Sequence, residues 1–407
     1  MYWHGFDWKS LTTISSPPTT EPLFPNLRRL DCDHTSHAIP LLRLPLPSLI
    51  SLRFVLGYAD DLPGCQDFLN SLLELAPNIR RLGINQLRPS SVFRDFVSSY
   101  IRCWRNLEEV LCPGTSLNMD TLVHLSRMPA LTRLEFITST TSGPCDLLAI
   151  FSGLHHMRLH SPSFPSISSL LLRIRLPTII DFIALIASCP SRQDLSSFLT
   201  SLQTFDVGHS MERLTLYNSE VLTLSRDQIL DPGDVLLDLE DLRPCMAFTN
   251  LRSVDINFWC NNVGLTESGL LELATAWPRL EELGINSDWG WHTSGGITPN
   301  GLLQLLQTCR SLSQIALAVD TRGYTESPPS PTRLGVTFPS ALSINVLDSI
   351  IEAESVPAIS AFFTGIALCS KLYLRFWQGG EMLERADCLV YTVRWNDVYR
   401  IVEDVRS

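Results

Sequence analysis

The amino-acid sequence predicts an α/β solenoid built from short parallel strands that alternate with helices. A ten-residue pattern with apolar first, fourth, seventh and ninth places recurs along the chain. Proline often fills the second place, and the side chains between the apolar strand places are polar in most copies. A unit of one helix and one strand cannot bury its apolar edge alone, so each copy needs neighbours on both sides.

The clearest copy of the unit spans residues 266–286. Thr266 can cap a helix, and the segment after it has apolar side chains at helical spacing. Pro278 ends that helix because proline lacks an amide hydrogen and restricts the residue before it. Leu283 and Ile285 then point to one face of a strand, since strand side chains alternate.

Twelve windows match the pattern, at steps of 22 to 32 residues apart from one step of 49. They begin at Phe24, Leu46, Ala76, Trp104, Met128, Phe151, Leu176, Leu199, Phe248, Trp277, Cys309 and Phe338. A further window at Leu368 is degenerate, because Lys371 fills its fourth place. This spacing indicates about 13 irregular repeats.

Polar strand faces decide between the folds that such a unit can build. In a doubly wound sheet or an eight-fold barrel both strand faces are covered, and the strands are continuous apolar runs. Here one face is polar, as in Arg133 with Glu135 and Ser253 with Asp255. One solvated face predicts an open leucine-rich-repeat horseshoe with a parallel concave sheet and convex helices.

The predicted domain is residues 24–377, preceded by an N-terminal flank at 1–23 in which a partial repeat is expected. The predicted helices are Asp67–Leu75, Ser91–Cys103, Met119–Arg127, Cys145–Ser152, Thr298–Thr308 and Val356–Leu368. A strand is predicted at Leu372–Trp377. Residues 378–407 form a C-terminal capping segment whose amphipathic stretch, Trp395–Val405, is expected to cover the end of the core.

Two assignments remain open where the period breaks after Leu199. Either Gln203–Val207 is a strand, or Leu195–Val207 is a helix and Glu212–Leu216 is the strand. The helical spacing of apolar residues in Leu195–Val207 favours the second assignment. The insertion that follows, at about 219–241, is acidic and is predicted to be exposed.

Composition excludes several functional classes. A net charge of −11 disfavours binding to nucleic acid or to an anionic membrane. The 11 cysteines contain no C-x-x-C pair, which indicates reduced thiols and an intracellular, cytoplasmic or nuclear location. No signal peptide is expected, because residues 1–9 lack a basic start and an apolar run. No membrane span is expected, because charges and a proline interrupt the most apolar stretch, residues 169–189.

Catalytic signals are weak. The chain has no G-x-S-x-G, H-E-x-x-H or phosphate-loop motif. His156 and His160 would lie about 13 Å apart on one strand face, too far to share a metal, and are predicted to be surface histidines. We expect no enzymatic activity, no cofactor and no metal. A hydrolase would need a carboxylate or nucleophile cluster on adjacent strands.

Protein binding is the function class that the pattern favours. Tryptophans that follow strands of late repeats are candidate anchors for a partner: Trp259, Trp289, Trp291 and Trp377. Large indole rings can serve as binding hot spots, or they can fill gaps between repeats. The charged candidates on the concave face are Arg81, Arg133, Glu135, Arg158 and Asp255, for which a solvated face without a partner is the alternative.

Four segments resemble a known family. They are Phe24–Leu30, Ser163–Arg173, Leu242–Val254 and Pro357–Phe363. With the irregular order of the repeats, they resemble the repeat region of fungal F-box/leucine-rich-repeat proteins. The resemblance implies a substrate-binding domain joined to an N-terminal F-box that docks the Skp adaptor of a cullin ubiquitin ligase. Residues 1–25 lack the Leu-Pro-x-Glu start of an F-box, so a truncated gene product or a relative without the box is expected.

We therefore expect a non-catalytic protein-interaction solenoid. The leading hypothesis is an F-box-like substrate receptor of a cullin ubiquitin ligase, with a protein substrate on its concave face and a Skp-type adaptor and cullin as further partners. The alternative is a stand-alone leucine-rich-repeat scaffold or regulator with no ubiquitin role. Neither nucleic acid nor a membrane is an expected partner.

Overall fold

A computed structural model describes residues 24–32, 46–56, 70, 72–86, 91–138, 148–204, 210–218, 236–258, 262–288, 290–291, 297–325, 338–376 and 386–406. The chain divides into two compact units. The first contains residues up to Ser161 and Ser169–Ile179, and the second contains Pro162–Ser168 and Ile180 onward. Each unit is described by itself below.

The first unit is a parallel sheet whose strands follow one another in chain order. Its strands are β1 (Arg29–Cys32), β2 (Ser51–Leu56), β3 (Arg81–Gln86), β4 (Glu109–Ser116), β5 (Arg133–Ile137) and, after β6 (Ala149–Ile150), β7 (His156–Ser161). Helices α1 (Ser91–Ile101) and α2 (Met119–Ser126) connect strands of this sheet. The short strand β8 (Ile174–Arg175) pairs with β6, and helix α3 (Phe164–Leu171), which precedes β8 in the chain, has residues in both units.

The second unit is also built from parallel strands and helices. Its sheet contains β9 (Asp181–Ile186), β10 (Arg213–Asn218), β12 (Ser253–Asn257), β14 (Glu282–Ile285), β15 (Gln314–Ala316), β16 (Ala341–Asn345) and β17 (Lys371–Arg375), and β11 (Leu236–Leu237) pairs separately with β13 (Asn262–Val263). Its helices are α4 (Arg192–Thr204), α5 (Leu239–Leu242), α6 (Glu267–Ala276), α7 (Pro299–Thr308), α8 (Val356–Ala367) and α9 (Ala386–Arg406). Short 3₁₀ helices span Arg243–Ala247 and Ala353–Ser355.

Apolar strand places stack into continuous buried rows. Leu52 pairs with Leu82 in the first unit, and Val254 pairs with Leu283 in the second. All four side chains are buried, and full burial of such a side chain stabilises the fold by about 1.5–3 kcal/mol. The alternate side chains point to the other sheet face. Parallel strands in register, connected by helices, confirm the predicted α/β leucine-rich-repeat fold class.

Helix caps occur where the repeat sequence places them. The side chain of Thr266 accepts a hydrogen bond from the amide of Gly269 at the start of α6, and Thr298 caps α7 in the same way through Gly301. Asn118 caps α2. Since these side chains satisfy backbone donors that have no partner within the helix, they fix where each helix begins.

The open assignment after Leu199 is resolved in favour of the helix. Helix α4 contains Leu199 and Leu202, and the next strand, β10, runs over Arg213–Asn218. The window beginning at Leu199 is therefore not a repeat start. Its first and fourth places, Leu199 and Leu202, are three residues apart, which is also the spacing of one helix face. Its seventh and ninth places, Phe205 and Val207, lie outside the described residues.

The predicted helix at Cys145–Ser152 is wrong in its described part. Ala149 and Ile150 instead form β6, which pairs with β8. Residues 145–147 lie outside the described residues. The helix predicted at Asp67–Leu75 is helical at residue 70 and at 72–75, and its remaining residues are outside the described ranges.

The acidic insertion is not uniformly exposed. Residues 219–235 lie outside the described ranges, but Asp241 is only 4% exposed. Asp238 caps α5 through a capping box with Asp241, and Arg192 lies 3.1 Å from Asp241 and 2.5 Å from Asp238. The prediction of exposure is therefore wrong for Asp241, because pairing with Arg192 permits its burial.

Helix α9 packs on α8. The indole of Trp395 is buried, lies in a T-shaped contact with Phe363, and donates a 2.9 Å hydrogen bond to the carbonyl of Ser349. Val398 and Val402 are buried on the same helix. Among the described helices, none combines the length and apolarity that a bilayer crossing requires.

Candidate functional site

We call the outward side chains of β1–β5 and β7 the first solvent face. They include the five arginines Arg29, Arg53, Arg81, Arg133 and Arg158 and the three carboxylates Asp31, Glu109 and Glu135. The predicted binding residues Arg81, Arg133, Glu135 and Arg158 all belong to this face. Strand register brings them together, although they come from separate repeats.

Glycine shapes the first solvent face beside Arg53. Gly83 pairs with Arg53 in the neighbouring strand, and a Cβ atom at Gly83 would lie 2.7 Å from Cγ of Arg53. The arginine side chain therefore lies across the space that a larger residue would occupy. The aliphatic part of the Arg53 side chain therefore lies along the sheet at Gly83, while Arg53 as a whole remains exposed.

A buried polar pair lies in the same face. Glu135 is 9% exposed and His160 is 5% exposed, and Nε2 of His160 donates a 2.9 Å hydrogen bond to a carboxylate oxygen of Glu135. The Nε of Arg158 lies 3.5 Å from the same oxygen. Burial acts to raise the pKa of Glu135, but the His160 hydrogen bond and the Arg158 charge outweigh it and hold that pKa below its ordinary value.

The prediction that His160 is a surface histidine is therefore wrong. Register places His160 beside Ile137 at the end of β7, and its ring reaches back to Glu135 on the neighbouring strand. A polar residue at an outward place becomes buried when a charged neighbour gives it a hydrogen-bond partner. His156 remains partly exposed.

We call the outward side chains of β10, β12 and β14, with the turn after β14, the second solvent face. Asp255 lies at its centre beside Gly284, and a Cβ atom at Gly284 would lie 2.9 Å from Oδ1 of Asp255. That Oδ1 is buried and has no hydrogen-bond partner among the described residues. Burial, with the charges of Asp288 and Glu282, raises the pKa of Asp255 to about 6.

Asp288 is held in place by residues of other strands. The hydroxyl of Tyr217 donates a hydrogen bond to the Asp288 carboxylate, and the Asp288 amide donates to the side-chain oxygen of Asn257. The second solvent face is thus acidic around Asp255. Asp255 was predicted from the sequence, whereas Asp288 and Tyr217 were not, because only the tertiary structure brings these two residues together beside it.

Trp291 is fully buried rather than displayed at a surface. Its Nε1 donates a 2.7 Å hydrogen bond to the carbonyl of Ile285, and its amide donates to Oδ1 of Asp348 at 2.8 Å. Asn286 and Gly290 in the preceding turn have positive φ angles of 54° and 76°. This geometry favours the packing role over the anchor role for Trp291. The candidates Trp259, Trp289 and Trp377 lie outside the described residues.

No group of three or more His, Cys, Asp or Glu is placed to hold a metal ion in the described parts of the chain. The geometry of both solvent faces suits recognition of charged side chains, because their arginines and carboxylates project from regularly spaced strands. These observations define a leucine-rich-repeat protein with two charged sheet faces.

Comparison with known proteins gives no closer classification. No known family model matches the chain, and no curated protein matches its sequence. The yeast Rad7 and Elc1 complex matches with a TM-score of 0.43 and 13% identity over 93% of this chain and 85% of that chain. The internalin inlF of Listeria monocytogenes gives a TM-score of 0.35 and 10% identity, covering 89% of this chain and 76% of that chain.

The plant peptide hormone receptor RGFR1 in complex with RGF2 gives a TM-score of 0.33 and 13% identity, covering 82% of this chain and 53% of that chain. Identities of this size carry no information about a shared function. The leucine-rich-repeat class of this chain rests on its own strand order and register.

Proposed function

We propose that this chain is a protein-interaction solenoid that binds a protein partner through its solvent faces. The observation that carries the proposal is the row of exposed arginines beside a buried apolar row, as in Arg133 and Leu134 on β5. A face of this kind presents fixed charges at strand spacing, which gives specificity and fast association. The candidate contacts are Arg81, Arg133, Glu135, Arg158 and Asp255.

The finer proposal is an F-box-like substrate receptor of a cullin ubiquitin ligase. Its support is the resemblance of residues 24–377 to the repeat region of fungal F-box/leucine-rich-repeat proteins. The alternative is a stand-alone scaffold or regulator. An intracellular location fits both, since Cys103, Cys112, Cys189, Cys245, Cys309 and Cys369 are free thiols, and three of these six are buried.

The test is a quantitative pull-down of the tagged full chain from host lysate, probed for the Skp adaptor and cullin. Three proteins are compared: wild type, a solvent-face variant with Arg133→Glu and Arg213→Glu, and a control with Arg105→Glu and Arg310→Glu. All four arginines are exposed, and both variants change one residue in each unit and have equal net charge. We expect the solvent-face variant alone to lose the partner.

Each result decides one level of the proposal. Equal recovery by all three proteins contradicts binding through the solvent faces. Stoichiometric recovery of adaptor and cullin with wild type supports the ligase role. Recovery of a solvent-face partner without adaptor or cullin, while a fusion with an added F-box recovers both, supports the stand-alone scaffold.

A further inference from the structure

The first solvent face has an arginine excess that its own carboxylates do not neutralise. Asp31 pairs with Arg29 at 2.7 Å, and Glu109 lies 3.5 Å from Arg81. Glu135 contacts His160 and Arg158. Each of the three carboxylates therefore already has a cationic partner within its own face.

Two arginines of this face make no ion-pair contact within the described residues, although the charge of one, Arg133, helps to lower the pKa of Glu135 at longer range. These are Arg53 on β2 and Arg133 on β5, and both are exposed. Arg53 lies over Gly83, so no side chain at that position separates it from solvent. The Cα atoms of Arg53 and Arg133 are three strand spacings apart across the sheet and two residues apart along the strands. This corresponds to a distance of roughly 15 Å.

The local charge is opposite to that of the whole chain. The full sequence has a net charge of −11, whereas this face has five arginines against three carboxylates. A patch whose sign opposes the net charge is not explained by overall composition. It can attract an anionic ligand locally, while the remaining surface repels one.

We propose that the first solvent face binds an acidic segment of a partner protein, with Arg53 and Arg133 contacting its carboxylates. This inference rests on the proposed interaction function and names the chemistry of the partner. Arginine suits the role because its guanidinium group is always charged and can bind a carboxylate with two hydrogen bonds. The roughly 15 Å separation fits carboxylates four to five residues apart on an extended chain.

The direct test measures binding of the full chain to fluorescent peptides of about 12 residues, which reach roughly 40 Å when extended. A Glu-rich peptide is compared with Gln-rich and Lys-rich peptides of equal length. We expect the Glu-rich peptide to bind more tightly than the Gln-rich peptide at low salt, and its affinity to fall as salt is added. If the Lys-rich peptide bound more tightly than both the Glu-rich and the Gln-rich peptides, the net negative charge of the chain would determine binding. That result would overturn the proposal.

A double variant, Arg53→Gln with Arg133→Gln, tests the two residues. The matched control is Arg102→Gln with Arg105→Gln, which removes the same charge from exposed positions after α1 in the same unit. We expect the first variant to weaken Glu-rich peptide binding by about 2- to 30-fold, as expected for loss of two exposed ion pairs, with little change in the control. An equal loss in both variants would overturn the proposal.

Thermal unfolding of both variants shows whether the Arg53→Gln, Arg133→Gln protein remains folded at the binding temperature. If it is less stable, Arg133→Gln alone serves as the binding variant. The partner recovered by pull-down separates this inference from the proposed function. A partner that binds wild type and the Arg53→Gln, Arg133→Gln variant equally, but not the Arg133→Glu, Arg213→Glu variant, leaves the interaction function intact and overturns acidic recognition by these two residues.

Discussion

His160 donates a 2.9 Å hydrogen bond to Glu135 across two neighbouring strands, and both side chains are buried. Replacing His160 by alanine leaves a buried carboxylate without this donor. We expect the free energy of unfolding at pH 7 to fall by about 1–3 kcal/mol. Urea denaturation measures the change, with His156→Ala on the same strand as the control. Equal losses in the two variants would contradict a special role for the buried pair.

The lowered pKa of Glu135 also predicts that the stability of the protein depends on pH. Its pKa in the folded protein is below the ordinary value of 4.5. The ionised form is therefore favoured by folding, and this contribution is complete above about pH 4.5 and is lost as pH falls through the folded-state pKa. We expect Glu135→Gln to be less stable than wild type at pH 7, with the difference shrinking in acid. Denaturant titrations from pH 7 to pH 3 test this, and a constant difference would contradict it.

The raised pKa of Asp255 predicts the opposite dependence of stability on pH. Its pKa is raised from 3.8 to about 6, so the folded protein favours the protonated form and loses stability as pH rises through this interval. We expect Asp255→Asn to stabilise the protein at pH 7.5 by up to about 3 kcal/mol, the free energy that corresponds to this pKa shift, with the gain shrinking toward pH 4. The exposed Asp397→Asn change on α9 is the control. A gain that is independent of pH would show that the Asp255 charge is not its source.

The burial of Trp291 predicts that its substitution lowers the stability of the protein rather than its affinity for a partner. Its ring is fully buried and hydrogen-bonded to Ile285. We expect Trp291→Ala to lower the free energy of unfolding by about 3–5 kcal/mol, and Trp291→Phe to cost less because the ring volume is largely kept. Denaturation curves measure both. If Trp291→Ala kept full stability but lost a partner, the anchor role would be correct instead.

The ion pairs of Arg192 at α5 are expected to stabilise the fold. Arg192 bridges Asp238 and the buried Asp241. Removal of Arg192 leaves a buried carboxylate without its cation, so we expect Arg192→Ala to cost about 3 kcal/mol and Arg192→Lys to cost less. Chemical denaturation of the two variants checks the order. Indistinguishable stability of Arg192→Ala and wild type would show that the pair adds nothing.

Much of the fold could be predicted from sequence because the repeat pattern is local. Pro278 with Leu283 and Ile285 predicts a turn and a strand with one buried face, and that spacing does not depend on distant residues. Leu199 shows the limit of this approach, since the first and fourth places of a matching window, Leu199 and Leu202, lie inside helix α4. The charged places of the solvent faces could be predicted, but not their contacts.

The sequence by itself determined the repeat period, the buried rows and the polar face, because each depends on residues only a few positions apart. Only the tertiary structure decided which polar residues meet. Glu135 and His160 are 25 residues apart, and Arg192 and Asp241 are 49 apart. Such contacts depend on strand register and on the length of the connecting segments. No short sequence pattern specifies strand register or connection length. The burial of His160 and Asp241 therefore could not be predicted from the sequence and depends on how neighbouring repeats pack.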